Sequence, residues 1–242
     1  MELSIIIPTY NERKNIRELV PKLQLLIKKL NKKAEIIIVD DKSPDGTADL
    51  ARKLGKKYRN IKLISRQKKE GMGAAIKEGF ENAKGNILLS MDVDSFDVAD
   101  VEKLYLKALG NYDLVLGSRH IKGGVYEKKH FKTFIKYIVS FFGNKLYKYL
   151  LVYHINDFSV NFRAIKRKVW EKLNITEKGN TFMPEIIAEA YFRGYKITQV
   201  PIVFKERAHE KSKLNLTKES LRFLIKLMDF IYKYRFKSSY LI

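Results

Sequence analysis

An apolar run stops on two carboxylates in the stretch Ile87-Leu88-Leu89-Ser90-Met91-Asp92-Val93-Asp94. Because residues i and i+2 of an extended chain point the same way, we expect Asp92 and Asp94 to present both carboxylates on one side of a strand end. Mg²⁺ is commonly held by one or two carboxylates, with substrate phosphates and waters as its other ligands. The stretch therefore predicts a divalent-metal site. Two acids after a strand also occur as solvated turn residues or at a helix amino terminus.

The segments around this stretch alternate between strand and helix patterns. Short, nearly continuous apolar runs predict strands over residues 3–8, 34–40, 61–65, 86–92 and 112–117. Apolar residues at helical spacing predict helices over residues 15–30, 47–58, 73–83 and 98–109. This alternation predicts an α/β fold with a mostly parallel central sheet and helices on both faces, whose ligands bind at the carboxyl ends of the strands.

The pattern changes after Gly117. Residues 131–153 combine aromatic and aliphatic side chains with lysines every three or four positions, as in a core helix with a lysine edge or an interfacial helix at lipid head groups. Further helices are predicted over 163–174 and 184–193, and the alternation across residues 197–206 predicts a strand in a second, antiparallel part of the sheet. We divide the chain into a main domain, 1–215, and a basic amphipathic helical extension, 216–242, which either packs on the domain or docks on a membrane.

The amino-acid composition indicates which classes of binding partner the protein can have. The chain has 48 Lys and Arg against 27 Asp and Glu, a formal charge of +21, which favours nucleotide phosphates, lipid phosphates, an acidic membrane surface or nucleic acid. The absence of cysteine excludes disulfides and thiolate metal sites. No run of about 18 uncharged apolar residues occurs, so we expect no spanning helix. The start of the sequence also lacks the basic and apolar regions of a signal peptide.

Four motifs together resemble the signature series of family 2 glycosyltransferases. They most resemble the branch of dolichyl-phosphate mannose synthases and other polyprenyl-phosphate glycosyltransferases. The motifs are Pro8-Thr9-Tyr10-Asn11-Glu12, Val39-Asp40-Asp41, Asp92-Val93-Asp94 and Gly117-Ser118-Arg119. The resemblance implies a Rossmann-like, GT-A type nucleotide-sugar-binding fold for residues 1–215, with Mg²⁺ or Mn²⁺ as cofactor.

The resemblance also implies a donor site. Asp92 and Asp94 match the metal and diphosphate motif, and a bound metal ion stabilises the negative charge that develops as a nucleoside diphosphate departs. A basic loop that ends in Ser212-Lys213 matches one that closes over the donor phosphates. The nucleotide-sugar-binding residues implied in this way are Pro8, Tyr10, Glu12, Val39, Asp41, Asp92, Val93, Asp94, Arg207, His209 and Lys213.

The acceptor side can be argued from spacing as well as from the resemblance. Lys136, Ser140 and Asn144 reproduce the branch's Arg-x-x-x-Ser-x-x-x-Asn pattern with lysine in place of arginine, and their i, i+4, i+8 spacing puts them on one helix face. With Arg119 they form an expected binding site for an acceptor phosphate. A phosphate monoester has a second pKa near about 6 and is largely dianionic at neutral pH, so it needs no general base. We expect Asp94, Arg119, Lys136 and Ser140 to be the catalytic residues.

Three departures from the branch pattern leave the identity of the donor nucleotide sugar undecided. Ser95-Phe96-Asp97 stands where Leu-Gln-His is usual, so a glutamine that assists the metal is absent. Val160-Asn161-Phe162-Arg163 replaces Ser-Gly-Phe-Arg within the motif that begins at Asp157, and His209 occupies a position often held by arginine. GDP-mannose, a UDP-hexose and a UDP-N-acetylhexosamine therefore all remain candidate donors.

The expected function is an inverting, metal-dependent transfer of a sugar from a nucleotide sugar to a dolichyl or polyprenyl phosphate. The expected location is cytoplasmic, peripheral on the inner face of the cell membrane, without a nucleic-acid partner. One alternative is transfer to a glycan or protein hydroxyl, which would need a general base such as Glu185. A second is a nucleic-acid-binding α/β protein that uses the +21 charge and does not need Asp92 or Asp94.

Overall fold

The computed structural model describes residues 1–94, 97–127, 131–205 and 216–237, without the side chains of Lys132, Leu216 and Thr217. The strands are β1 (Leu3–Thr9), β2 (Ala34–Asp40), β3 (Ile61–Ser65), β4 (Ile87–Met91), β5 (Leu114–Ser118), β6 (Val125–Tyr126), β7 (Phe162–Lys166), β8 (Ile197–Pro201) and β9 (Val203–Phe204). The helices are α1 (Arg13–Leu30), α2 (Thr47–Lys57), α3 (Met72–Glu81), α4 (Val98–Leu109), α5 (Phe131–Leu150), α6 (Arg167–Trp170), α7 (Phe182–Phe192) and α8 (Leu216–Ile231), which continues into a π-helix (Tyr232–Phe236).

The main sheet has the strand order β3-β2-β1-β4-β7-β5-β8 within the described ranges. Its strands are parallel except for β7, which is inserted antiparallel between β4 and β5. The predicted mostly parallel sheet is therefore confirmed. The carboxyl ends of β1, β2, β4 and β5 meet at one edge, and the amino end of β7 lies at the same edge.

Helices cover both faces of this sheet, which explains why its strands are nearly continuous apolar runs. Side chains that alternate along each strand enter two separate cores. One core, which includes Ile5 and Ile7, is covered by α1, α2 and α4, whereas the other, which includes Ile6, is covered by α3, α7 and parts of α5 and α8. Burial on both faces fixes the register of the central strands and so the positions of the residues at their ends.

Two predictions for the second half of the chain are wrong. The predicted helix over 163–174 is instead the strand β7 followed by the short helix α6, because Arg163 is a buried sheet residue whose guanidinium bonds the carbonyls of Val160 and Met183. The second wrong prediction is the antiparallel strand over 197–206, of which the structure describes residues 197–205. β8 pairs in parallel with β5, and β9 pairs in parallel with β6, because alternation of side chains carries no information about strand direction.

The carboxyl-terminal helix packs against α5 and α7. Tyr147 of α5 donates a hydrogen bond to the carbonyl of Phe223 at 2.7 Å, and the ring of Tyr234 stacks on that of Phe192. Lys233 lies 3.5 Å from Glu185 and 3.8 Å from Glu189, two fully buried carboxylates on α7. Among the residues described, no helix is long and apolar enough to cross a membrane.

Substitution of Gly85, which lies two residues before β4, tests how closely the central strands are packed. A Cβ added there would lie 2.4 Å from the backbone nitrogen of Ser4. We expect Gly85→Ala to lower the free energy of unfolding by about 1–3 kcal/mol in urea denaturation. Gly143, in α5, has no atom within 4 Å of the added Cβ, so Gly143→Ala is the matched control and should stabilise by up to about 1 kcal/mol. Equal midpoints for Gly85→Ala and the wild type would contradict this packing.

Candidate functional site

Hydrogen bonds connect the loop that follows β1 to the loop that follows β2. The buried carboxylate of Asp40 accepts hydrogen bonds from Thr9 Oγ1 at 3.0 Å and from Ser43 N and Oγ at 2.9 and 2.6 Å. Ser43 Oγ in turn accepts from the backbone of Asn11, which has a left-handed φ of 60°. This network fixes the positions of Tyr10 and Asp41 at neighbouring strand ends.

An aromatic ring, a lysine and a buried carboxylate meet beside these loops. The Lys69 ammonium lies 3.7 Å from the centroid of the Tyr10 ring. Asp41 Oδ1 is paired with Arg66 Nη1 at 2.6 Å, and Arg66 also contacts Glu70 and Glu78. Burial raises the pKa of the Asp41 carboxyl above its ordinary value, against the opposing effect of Arg66. A stacking surface beside a hydrogen-bonding carboxylate has the chemistry needed to bind a heterocyclic base.

The other predicted residues of β1 and β2 have different surroundings. Glu12 is buried and accepts a hydrogen bond from Asn15 Nδ2, while its backbone NH donates to Thr47 Oγ1 at 3.0 Å. Pro8 lies opposite Val39 in the β1–β2 register, and the side chain of Val39 is fully buried in the core. A ligand would therefore meet Val39 through its main chain.

The two carboxylates of the opening stretch lie at the end of β4. Asp92 and Asp94 are half-buried, and Val93 between them packs into the core, as expected from alternation. Asn161 Nδ2 donates to Asp92 Oδ1 at 3.0 Å, whereas Asn161 Oδ1 is buried and accepts no hydrogen bond from the described part of the chain. Within the described ranges, no group of three His, Cys, Asp or Glu side chains is arranged to hold a metal. Two carboxylates and an amide oxygen nevertheless suit Mg²⁺ or Mn²⁺, which take oxygen ligands and leave positions for a diphosphate.

A buried ion pair forms the other side of the site. Arg119, just after β5, makes a bidentate contact with Asp157, with Nε–Oδ2 at 2.8 Å and Nη2–Oδ1 at 2.9 Å. Its guanidinium also lies 5.1 Å from the ring centroids of both Tyr126 and Phe204, which the β6–β9 pair places side by side. Burial disfavours both charges, but their contact outweighs it, raising the pKa of Arg119 and holding that of Asp157 below its ordinary value.

Hydroxyl and amide groups from α5 and from the 157–161 segment surround this pair. Arg119 Nη2 donates to Ser159 Oγ at 2.7 Å and to Ser140 Oγ at 3.3 Å. Asn144 Nδ2 lies 3.2 Å from Ser140 Oγ, and Asn144 Oδ1 accepts from the backbone NH of Phe158 at 2.7 Å. The structure thus brings together three of the four predicted acceptor residues. The fourth, Lys136, is half-buried one turn before Ser140 on α5.

Sequence reasoning missed three residues of the site and proposed one that does not fit. Asp157, Ser159 and Asn161 all belong to the motif noted above as a departure, which was the available signal. Glu185 is fully buried and accepts hydrogen bonds from Thr176 N, Thr176 Oγ1 and Glu177 N at 3.0, 2.8 and 2.8 Å. These donors occupy its carboxylate and leave it unsuited to act as a general base. The predicted Arg207, His209 and Lys213 lie outside the described residues.

Comparisons with known proteins identify similar sequences. The model of the family described as "Glycosyl transferase family 2" matches residues 4–173. A dolichol-phosphate mannosyltransferase from Pyrococcus furiosus is 34% identical over 94% of this chain, which spans only 64% of that relative's length. A polyprenol monophosphomannose synthase from Mycolicibacterium smegmatis is 31% identical over 87% of this chain and 80% of its own.

A solved structure shares the fold. Glucosyl-3-phosphoglycerate synthase from Mycobacterium tuberculosis, in complex with Mn²⁺, UDP and phosphoglyceric acid, superposes with a TM-score of 0.73. It is 20% identical, and the match covers 95% of this chain and 78% of that one. A second structure of that protein contains Mg²⁺ and UDP and gives a TM-score of 0.69 at 18% identity, over 93% of this chain and 79% of that one. The expected GT-A type fold is confirmed.

The Arg119–Asp157 pair makes stability depend on pH. Asp157→Asn leaves a buried guanidinium without its counter-charge, so we expect a loss of about 3–5 kcal/mol in the free energy of unfolding at pH 7. Because the pKa of Asp157 is lowered in the folded state, the wild type keeps this stabilisation above about pH 4 and loses it as the pH falls through the folded-state pKa. Urea denaturation between pH 7 and pH 3 should show the gap between the two proteins closing.

A surface pair provides the control for this measurement. Asp49 and Arg52 form an exposed i, i+3 ion pair on α2. Asp49→Asn should change stability by less than about 1 kcal/mol at any of these pH values. A gap for Asp157→Asn no larger than the one for Asp49→Asn would show that the buried pair contributes no net stability.

Proposed function

Because the chain belongs to glycosyl transferase family 2, we propose that it transfers a sugar from a nucleotide sugar to the phosphate of a polyprenyl or dolichyl phosphate. The observation that carries the acceptor assignment is the cluster of Arg119, Ser140, Asn144 and Ser159 around Asp157. It combines a cation with hydroxyl and amide donors at the carboxyl edge of the sheet, next to the carboxylates of β4. The names of the two curated relatives supply the class of acceptor.

The donor nucleotide binds at the ends of β1 and β2. Its base stacks near Tyr10 and Lys69, and Asp41 accepts a hydrogen bond from the base edge. The short contact of Asp41 with Arg66 holds that carboxylate in place before the ligand arrives. Preorganised groups of this kind lower the entropy lost on binding. The structural neighbours that contain UDP favour a uridine donor, and the curated relatives named for mannose transfer keep GDP-mannose as the alternative.

The diphosphate of the donor lies toward Asp92 and Asp94. When bound there, a divalent cation offsets the charge that develops on the departing nucleoside diphosphate. Asp92 is kept oriented by Asn161, and Arg119 adds positive charge to the same edge. These side chains are fixed by buried contacts before the reaction begins, so little reorganisation is needed at the transition state.

The acceptor phosphate acts as its own nucleophile. Ser140 Oγ lies within hydrogen-bonding distance of N–H donors on both Arg119 and Asn144, and its own hydroxyl proton can turn from Ser159 Oγ, 3.4 Å away, to a phosphate oxygen. A dianionic phosphate held in this way attacks the anomeric carbon and displaces the nucleoside diphosphate with inversion, without a side-chain base. Transfer to a neutral hydroxyl would need such a base, and the contacts of Glu185 remove the candidate for that role.

The outer surface of α5 and α8 supports a lipid acceptor. Ser140, Asn144 and Tyr147 line the inner side of α5, whereas the opposite side of α5 and the adjoining side of α8 expose large apolar side chains. These are Phe131, Phe134, Phe142, Leu146, Tyr149, Leu221, Leu224, Ile225, Met228 and Tyr232. Soluble monomers rarely expose so large an apolar patch. Lysines and arginines alternate with these residues, which is the composition of helices that bind anionic lipid surfaces.

A transfer assay tests the proposed reaction. The protein is incubated with labelled GDP-mannose, UDP-glucose or UDP-N-acetylglucosamine, a polyprenyl phosphate and Mn²⁺, and label is measured in the organic phase. We expect one donor to give an extractable product only when metal is present. Ser140→Ala should raise the KM for the lipid about 10-fold, equivalent to about 1.4 kcal/mol, and leave the KM for the donor unchanged. Thr198→Ala, on the edge strand β8, is the hydroxyl control. Transfer of label to water-soluble acceptors alone would overturn the assignment.

Vesicle flotation tests the apolar surface. The wild type should float with vesicles of phosphatidylcholine and phosphatidylglycerol, and less with phosphatidylcholine alone or in high salt. The double variant Phe142→Ser/Met228→Ser removes side chains that are 60% and 65% exposed and should lose most of this binding. Leu25→Ser, at 70% exposure on α1, is matched in exposure and should float like the wild type. Equal flotation of all three proteins would place the lipid contact elsewhere.

A further inference from the structure

Asn161 occupies an unusual position at the carboxylate end of β4. The β4–β7 register pairs Met91 with Phe162, so Asn161 stands directly across from Asp92. The residue is 2% exposed, and its Nδ2 donates to Asp92 Oδ1 at 3.0 Å. A carboxylate only accepts hydrogen bonds, so this contact fixes which end of the amide is nitrogen. The other end, Oδ1, is buried beside the carboxylates.

No residue that the structure describes donates a hydrogen bond to this amide oxygen. Leaving a buried acceptor unsatisfied is energetically costly, and native proteins keep few such groups without a reason. The neighbouring backbone does not allow Asn161 to turn away easily. Arg163 donates to the carbonyl of Val160 at 2.6 Å and to that of Met183 at 2.9 Å, which fixes the peptide immediately before Asn161. The oxygen is therefore held in place while its bonding capacity is unused.

We propose that Asn161 Oδ1 is a ligand of the divalent cation held at Asp92 and Asp94, an inference that rests on the metal dependence of the proposed function. Amide oxygens are suitable ligands for Mg²⁺ and Mn²⁺. The described residues provide no third carboxylate or imidazole for this site, so a further ligand drawn from them is neutral. A neutral ligand also suits the substrate, because an added carboxylate, as in Asn161→Asp, would repel the diphosphate that shares the ion.

This assignment gives Asn161 two linked tasks. Its nitrogen orients Asp92, and its oxygen binds the ion, so one side chain couples the carboxylate to the metal. Loss of a hydrogen bond that only orients a metal ligand typically lowers metal affinity 10–100-fold. Separating the two tasks requires one variant that removes both amide atoms and one that keeps an oxygen while losing the donor.

Electron paramagnetic resonance of Mn²⁺, titrated with and without UDP or GDP, measures this affinity independently of turnover. We expect Asn161→Ala to weaken Mn²⁺ binding at least 10-fold, and Asn161→Asp, which keeps an oxygen in place, to remain within about threefold of the wild type when no nucleotide is present. Ser90→Ala is the control, because Ser90 Oγ is also buried without a partner but belongs to the body of β4. It should bind Mn²⁺ as the wild type does. Circular dichroism and metal-free nucleotide binding establish that each variant is folded.

The outcomes separate the inference from the proposed function. Wild-type affinity in Asn161→Ala would overturn the inference and leave the metal site intact. Equal losses in Asn161→Ala and Asn161→Asp would also overturn it, since the residue would then act only through its hydrogen bond to Asp92. Failure of the wild type to bind Mn²⁺ with either nucleotide would overturn the metal dependence of the proposed function, and the role of Asn161 with it.

Discussion

The buried ion pair between Arg119 and Asp157 is the contact on which the site depends. Removing two charges from water is costly, and the cost is offset only by good geometry and additional hydrogen bonds. Here the guanidinium has a bidentate carboxylate, the hydroxyl of Ser159 and two aromatic rings nearby. The pair joins the end of β5 to the segment that leads into β7, and it holds both against Ser140 of α5.

The direction of β7 also positions residues at the proposed donor site. β7 runs antiparallel to β4 and β5, so its first residue lies at the edge of the sheet where β4 and β5 end. The residues just before β7 therefore lie next to the ends of both strands. Asp157 thus reaches Arg119, and Asn161, four residues later, reaches Asp92. A short segment therefore connects the groups proposed to hold the acceptor phosphate with those proposed to hold the metal, and the distance between the two substrates follows from the strand order.

The first half of the fold could be predicted from the sequence because its strands are buried on both faces and end in recognisable turns. β2, β3 and α4 have the predicted bounds. Prediction failed where a polar residue is buried: Arg163 suggested a helix surface, but the carbonyls of Val160 and Met183 satisfy it inside the sheet. Asp157 and Asn161 were missed as site residues for a similar reason. Their partners are 38 and 69 positions away, a separation that no local pattern reports.

The carboxyl-terminal helix gives the apolar surface a fixed relation to the site. Lys233 lies near the buried carboxylates of Glu185 and Glu189, and losing it would remove positive charge from both, although Glu189 also pairs with Arg193 at 2.7 Å. The hydrogen bond from Tyr147 to Phe223 joins the same helix to α5, three residues from Asn144. If this surface lies on a lipid bilayer, Ser140, on the opposite side of α5, is held at a fixed distance from the bilayer. A phosphate attached to a membrane-embedded chain then reaches the site, because the chain remains in the lipid while only its head group enters the cluster around Arg119.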